Sequence, residues 1–342
     1  MTRLRTAILG CGGIAERHAK VLARLGDDVE LVAFADRSAE KAASFSERYA
    51  AGQARTFTRH EDLLAETPLD LLVICLPPHG HSDEVEQAAA RGVHILIEKP
   101  IALESEHAWR MVRASEAAGI KTQVGFMSRF GAAVEELKRR LDSGEAGPVG
   151  LFAARYHCNA LHAPWWRSLE KSGGQLVEQA IHQFDLMRYL LGEPESVFSR
   201  QTNFFHQGVP GYTSEDTSVT VLGFPGGALG TVNATNGAIP RRWIKEFQVV
   251  AHGLTVDFRD ENHATFHDTT GSEAVSQEVE SSDDVFERQA RDLIHAVRTG
   301  GPTRTPMREG ALTLDMVLAA RASAEQGREL RLQQPVPAGA PR

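Results

Sequence analysis

Over the first 125 positions, short apolar runs alternate with stretches whose apolar residues recur at helical spacing. Thr6-Ala7-Ile8-Leu9 stops at Gly10-Cys11-Gly12-Gly13-Ile14, and the stretch 16–25 then continues a face made of Ala15, Ala19, Leu22 and Ala23. A second apolar run, 29–35, ends at Asp36. Helical spacing resumes over 38–50, with Ser38 as N-cap and Ala42, Phe45 and Tyr49 as the buried face. Further apolar runs at 69–76, 93–97 and 121–125 are separated by helical stretches at 81–90 and 104–118, and a short helical piece lies at 62–64. The run at 69–76 shows almost no alternation, which predicts a strand covered on both faces. This pattern predicts an α/β protein that begins with a Rossmann domain, a doubly wound parallel sheet with right-handed crossovers.

The pattern changes near residue 126. A helix is predicted over 132–141, a strand over 149–158, and a longer helix over 176–191 that follows Gly173-Gly174 and stops at Gly192. Strand-like segments follow at 196–205, 216–224, 228–236, 243–251, 254–259 and 274–280, joined by Gly, Pro and Asn turns. Helices over 284–299 and 308–326 close the pattern. The expected C-terminal α/β domain is thus a large, mostly antiparallel open sheet with helices on one face. The expected divisions are 1–125 for nucleotide binding, 126–332 for substrate and self-association, and a disordered tail over 333–342.

A length of 342 residues fits two domains. The net charge of −8 is spread along the chain and leaves no electrostatic footprint for nucleic acid. No apolar run reaches the roughly 20 residues needed to span a bilayer. Met1 to Arg5 lead straight into the first strand, leaving no room for a signal peptide. Cys11, Cys75 and Cys158 are far apart and form no C-x-x-C pair, as expected of reduced thiols in a cytoplasmic protein without a metal site.

The candidate chemistry begins at the glycine turn. Gly10 permits the tight turn, Gly12 a close approach to a pyrophosphate, and Ala15 close packing of helix on strand. Gly13 and Ile14 open the helix whose N-terminal N–H groups favour an anion. Asp36, at the end of the second strand, suits the ribose hydroxyls of NAD, while Arg37 beside it keeps NADP open. Ligands of such sheets bind beyond the carboxyl ends of the strands, where Leu76, Pro77, His81, Glu98 and Lys99 also lie. His81 serves either the cofactor or its own helix as a cap. Lys99 precedes a proline and is biased to extended geometry, so it either projects over the crevice or pairs with Glu98 at the surface. On a regular helix, Glu178, His182 and Asp185 fall at i, i+4 and i+7 on one face. They form a proton-transfer site, or else Asp185 pairs with Arg188 and His182 is a satisfied core residue.

Gly10-x-Gly12-x-x-Ala15, Glu98-Lys99-Pro100, Trp166-Arg167 with Gly173-Gly174, and the helix pattern ending His182-x-x-Asp185 together resemble the glucose–fructose oxidoreductase, inositol dehydrogenase and rhizopine-catabolism family of NAD(P)-dependent oxidoreductases. The resemblance runs from about residue 5 to 330. It implies oxidation of a secondary alcohol of a sugar, inositol or related polyol, or reduction of the ketone. It also implies a homodimer or homotetramer assembled through the C-terminal sheet. Lys99 would contact substrate and cofactor, often with a cis peptide before Pro100. His182 would exchange the proton, assisted by Glu178 at a position where the family commonly has Asp. Arg129, Tyr156, Trp166 and Arg167, with Phe126, His157 and Trp165, would line the polyol pocket. Two relatives of different class share the motifs: glycosidases that use NAD transiently, and non-catalytic NAD-sensing regulators.

Overall fold

The computed structural model describes residues 2–161 and 163–332. The chain divides into two compact units, Met1–Met127 with Asp284–Ala311, and Ser128–Asp283 with Leu312–Arg342. The tail over 333–342, expected to be disordered, lies outside the described residues.

The first unit is built on β1 (Leu4–Leu9), β2 (Val29–Ala35), β3 (Arg55–Phe57), β4 (Leu71–Ile74), β5 (His94–Ile97) and β6 (Thr122–Val124). All neighbours pair in parallel, in the order β3-β2-β1-β4-β5-β6 of a doubly wound sheet. Every residue of β4 is buried, as its unbroken apolar run requires. The edge strand β3 was not apparent in the sequence: its three residues pair only with β2 and none is fully buried. Ser38 caps the helix Ala39–Ala50 by accepting from the Lys41 N–H, as expected.

The expected division at 125/126 misses one segment of this unit. Ala290, Leu293 and Ile294 of the helix Val285–Thr299 join the same core as Ile8, Ala15, Leu22 and Phe34. Asp284 starts that helix, accepting from the Phe286 N–H at 3.1 Å and pairing with Arg17 (3.0 Å) and Arg24 (2.6 Å) of the first helix, Gly13–Arg24. Thr305 then covers the free edge of β6, its carbonyl accepting the Val124 N–H at 2.7 Å. A sheet edge left open is a template for unwanted pairing, and this segment closes it.

The second unit holds β7 (Val149–His157), β8 (Ser196–Thr202), β9 (Thr217–Gly223), β10 (Leu229–Thr235), β11 (Phe247–Ala251), β12 (Leu254–Asp260), β13 (His263–Asp268), β14 (Val275–Glu280) and β15 (Leu330–Arg331). Their order is β14-β13-β12-β11-β7-β10-β9-β8-β15, antiparallel throughout except for the parallel pair β7 and β10. The sequence pattern did not show β13, whose HATFHD alternates only weakly. On the covered face, Phe247 and Phe258 stand opposite one another in register and stack at 4.0 Å. The helix Ile181–Leu191 lies on that face, and Gly230 leaves room for its Met187.

The stretch expected as one regular helix over 176–191 is not uniform. Leu176–Ala180 form a single π-helical turn, and α-helical geometry begins at Ile181. An inserted π turn breaks the i, i+4 register, and such turns concentrate at functional sites. Two acids anchor this stretch. Asp185 forms a buried two-bond pair with Arg129, at 2.8 Å to Nε and 2.6 Å to Nη2, and the Arg129 guanidinium also lies 4.6 Å above the Tyr189 ring. Upstream, a Glu215 carboxylate oxygen accepts the Leu176 N–H at 2.7 Å, seated where Gly174 (φ +92°) has no side chain. Burial pushes the Glu215 carboxyl up to about 7, against the opposing pull of that N–H.

Two outcomes follow for stability. Replacing Asp185 by Ala strips a buried guanidinium of its carboxylate and is expected to cost about 3–5 kcal/mol in denaturant unfolding, with Arg129→Leu/Asp185→Leu recovering much of the loss. For Glu215 the native state keeps a proton that the unfolded chain releases near 4.5, so its contribution is full below that pH and is lost as pH rises through about 7. Between pH 4.5 and 7.5 the wild type should therefore lose up to about 3 kcal/mol relative to Glu215→Gln, measured by unfolding both proteins across that range. Parallel pH profiles for the two proteins would exclude this linkage.

Candidate active site

In the first unit the glycine turn is built as its sequence demands. Gly10 has φ +91°, and a side chain there would meet the Cys75 carbonyl oxygen of the adjacent strand end at 2.6 Å. Gly12 and Gly13 are different: they are exposed, and a Cβ on either would meet nothing within 4 Å. They leave the first N–H groups of the helix Gly13–Arg24 open, with Ile14 exposed beside them. Asp36 closes the turn from the next strand, accepting the Cys11 N–H at 2.8 Å through Oδ2 and the Ser38 N–H at 2.8 Å through Oδ1. Burial, then the charge of Asp36, pushes the Cys11 thiol up to about 12, so no thiolate competes with a bound anion. Arg37 is exposed at this edge. These features fit a dinucleotide: open helix-start amides for its pyrophosphate, and a carboxylate at the strand end for its ribose.

Of the other strand-end candidates, Leu76 and Pro77 are half-buried. His81 is committed inward, its Nδ1 lying 2.6 Å from Glu84 in a pair with almost no exposure. Burial opposes ionisation of Glu84, but His81 and the Ser82 N–H outweigh it and hold the carboxyl down at about 2. Glu98 is also buried and pairs with His18 Nε2 at 2.7 Å, while its second oxygen accepts the Lys99 N–H at 3.3 Å. Lys99 is half-buried and joined to Pro100 by a cis peptide bond.

In the second unit, Glu178 lies in the π turn and His182 one turn later, both largely buried. Asp185, in the regular helix after the π turn, pairs with Arg129, and Arg188 pairs with Glu193 at 2.8 Å. Arg129, expected to line the polyol pocket, is therefore engaged by Asp185. His157 also departs from expectation. Strand alternation puts it on the face of β7 opposite Tyr156, where it bonds Asn233 Oδ1 at 2.7 Å. Tyr156 is buried near Glu178, and burial followed by that carboxylate's charge drives its phenol well above the usual range.

Glu178 helps to line a small cavity with Trp166, Arg167, Gln175, Tyr212 and Asn236. Trp165 meets Trp166 edge to face at 6.4 Å. Three of these residues, Gln175, Tyr212 and Asn236, carry no sequence signal, because they come from separate segments joined only by folding. Trp243 and Lys245, which contact the Tyr156 ring at 6.0 and 5.8 Å, were equally invisible. Lys99 belongs to the first unit, and Glu178 and His182 to the second.

Comparison with known proteins supplies the setting. Residues 4–126 match the model described as "Oxidoreductase family, NAD-binding Rossmann fold", and residues 134–256 match the "GFO/IDH/MocA C-terminal domain". The chain is 26% identical to myo-inositol 2-dehydrogenase of Thermotoga maritima over 97% of its own length and 99% of that protein. It is 30% identical to scyllo-inositol 2-dehydrogenase (NAD(+)) of Bacillus subtilis over 68% and 67% of the two chains. Among solved structures it resembles the WlbA dehydrogenase of Bordetella pertussis, solved with NADH and UDP-GlcNAcA (TM-score 0.83, 27% identity, 98% and 100% coverage). A levoglucosan dehydrogenase with NADH and levoglucosan shares the fold (TM-score 0.87, 21% identity, 97% and 100% coverage). No described helix is long and apolar enough to cross a membrane. The chain belongs to the GFO/IDH/MocA oxidoreductase family, an NAD-binding Rossmann fold followed by that family's C-terminal domain.

Proposed function

We propose that this NAD-dependent oxidoreductase oxidises a secondary alcohol of an inositol, sugar or related polyol, or reduces the corresponding ketone, with Lys99 and His182 moving the proton. The observation that carries the reading is a water-sized cavity whose lining sets the Trp166 indole beside Arg167, Gln175, Glu178, Tyr212 and Asn236, taken as one edge of the polyol site. A polyol offers C–H groups to an aromatic wall and hydroxyls to a polar rim, and this lining suits both. Relatives named as myo-inositol and scyllo-inositol 2-dehydrogenases support the same substrate class.

When bound, the nicotinamide supplies the hydride acceptor. Everything else falls to the chain. The amides at Gly12 and Gly13 hold the pyrophosphate, and Asp36 takes the ribose hydroxyls and disfavours a 2′-phosphate. Neutral His182 accepts the proton of the reacting hydroxyl, and the Lys99 ammonium donates to the same oxygen as negative charge develops on it. Glu178 supports the imidazolium form of His182 or holds a neighbouring hydroxyl, one methylene further from its backbone than an Asp would be. Assembly through the open face of the second sheet, where Val219, Val221 and Leu229 are exposed, is part of the same reading.

A panel of myo-inositol, scyllo-inositol, levoglucosan, free sugars and glycosides, tested with NAD⁺ and NADP⁺, decides between the readings. Net NADH from a free polyol is expected, with NAD⁺ preferred. Glycoside cleavage without added NAD⁺ would transfer the protein to the transient-redox class. Lys99→Ala and His182→Ala should each lower kcat by about 10²–10⁴. Binding of NAD⁺ to the His182→Ala protein, followed by fluorescence titration, should stay within a few-fold of wild type. If both variants retain full turnover, this proton relay is wrong.

A further inference from the structure

Asn236 is buried at the back of the cavity, and its carboxamide is engaged at both ends. Oδ1 accepts from Gln175 Nε2 at 2.8 Å and from the Cys158 thiol at 3.0 Å, while Nδ2 donates to the Tyr212 hydroxyl oxygen at 3.1 Å. Burial pushes the Cys158 thiol up to about 12, which keeps it a donor. An amide oxygen can only accept and an amide nitrogen only donate, so this arrangement fixes hydrogen-bond polarity on either side of Asn236.

Gln175 is 4% exposed and turns its NH₂ group to Asn236, which leaves Oε1 as its remaining polar atom. That oxygen is buried and has no hydrogen-bond partner among the described residues. Tyr212 already accepts through its oxygen, so its own hydrogen remains to be donated. The Tyr212 ring is fixed by stacking on His206 at 4.7 Å, and His206 Nδ1 bonds Asp216 at 3.0 Å. Burial raises the Tyr212 phenol, so it stays protonated at neutral pH. Among the residues that line the cavity, Gln175 thus keeps an unused acceptor and Tyr212 an unused donor, joined through the same amide.

We infer that Gln175 Oε1 and the Tyr212 hydroxyl form a reading pair for one substrate hydroxyl, other than the one oxidised, which donates to Gln175 and accepts from Tyr212. This deepens the polyol reading and rests on it. A hydroxyl satisfies both partners, a carbonyl or fluorine only Tyr212, and a methylene neither. The pair therefore acts on specificity and touches no reacting atom.

The test uses whichever of myo-inositol, scyllo-inositol and levoglucosan is turned over fastest, together with its monodeoxy and deoxyfluoro analogues. Wild type should disfavour one deoxy position by about tenfold or more in kcat/KM, the scale of a lost neutral hydrogen bond. Tyr212→Phe and Gln175→Met should raise KM for the parent about tenfold, keep kcat within about threefold, and reduce but not abolish the penalty at that same position. At that position the fluoro analogue should recover activity with wild type and Gln175→Met but not with Tyr212→Phe. Equal penalties for every analogue, or a fall in kcat at unchanged KM, overturns the inference. If Gln175→Met melts early, Tyr212→Phe and the wild-type analogue series decide alone. If wild type turns over none of the three and no free sugar of the panel, the dehydrogenase reading falls. Calorimetric titration of the same compounds into the NADH-saturated protein then judges the pair separately: selective binding lost in Tyr212→Phe sustains it, and unselective or absent binding overturns it.

Discussion

The first unit depends on a buried carboxylate. Glu98 is buried at the end of β5, where one oxygen meets His18 of the nucleotide-binding helix at 2.7 Å and the other meets the Lys99 N–H. Gly125, just past β6, yields the space: a Cβ there would stand 2.7 Å from the Glu98 carboxylate. Burying such a group is costly unless its oxygens are satisfied, so the geometry that satisfies it is strongly preferred. The consequence reaches the chemistry. The helix that presents its amides to a pyrophosphate and the strand end that carries Lys99 are tied to one side chain, and neither can shift without exposing or unpairing it. Glu98 thus serves the cofactor site as a fastener.

The second unit solves a related problem with two acids. Asp185 locks the regular part of its helix to Arg129, and Glu215 holds the N-terminal end through the Leu176 N–H. Between these anchors lies the π turn that carries Glu178. A widened turn is less favourable than continued α-helix, and it persists when the surroundings fix both of its ends. The result separates two carboxylates that regular spacing would have placed on one face. Asp185 becomes structural, and Glu178 is released toward the cavity.

How far the sequence spoke for this arrangement follows from the range of each interaction. The strand–glycine–helix–strand–acid order is local, so Gly10, Gly12 and Asp36 were legible from spacing alone, and so were nearly all elements with a strong apolar period. Weakly alternating or very short strands, β3 and β13, escaped because pairing rather than pattern defines them. The ion pairs were illegible for a different reason. His18 and Glu98 are 80 residues apart and Arg129 and Asp185 are 56 apart, and nothing in composition links such partners. The face drawn through Glu178 assumes an unbroken ladder, and the π turn over Leu176–Ala180 interrupts that ladder at Glu178 while His182 and Asp185 stay in regular helix. The helix Val285–Thr299 was legible as a helix, but its place in the first unit was not, since only its packing against Ala15 and Leu22 reveals it.

These differences have one physical root. On the proposed reading, the cofactor side is made chiefly of backbone: open amides at Gly12 and Gly13 and a turn with no room for a side chain at Gly10. Backbone recognition needs only the chain path, so one fold can hold the same dinucleotide in many sequences. The substrate side, on the same reading, is made of side-chain amides, a phenol and a carboxylate whose polarity is set by contacts between distant segments, as Asn236 sets that of Gln175 and Tyr212. On that reading, changing one of those contacts would alter which hydroxyl is read while leaving every strand in place. Substrate identity, on the proposed reading, is set by the hydrogen-bond polarity of a few buried side chains, since the path of the backbone does not encode it.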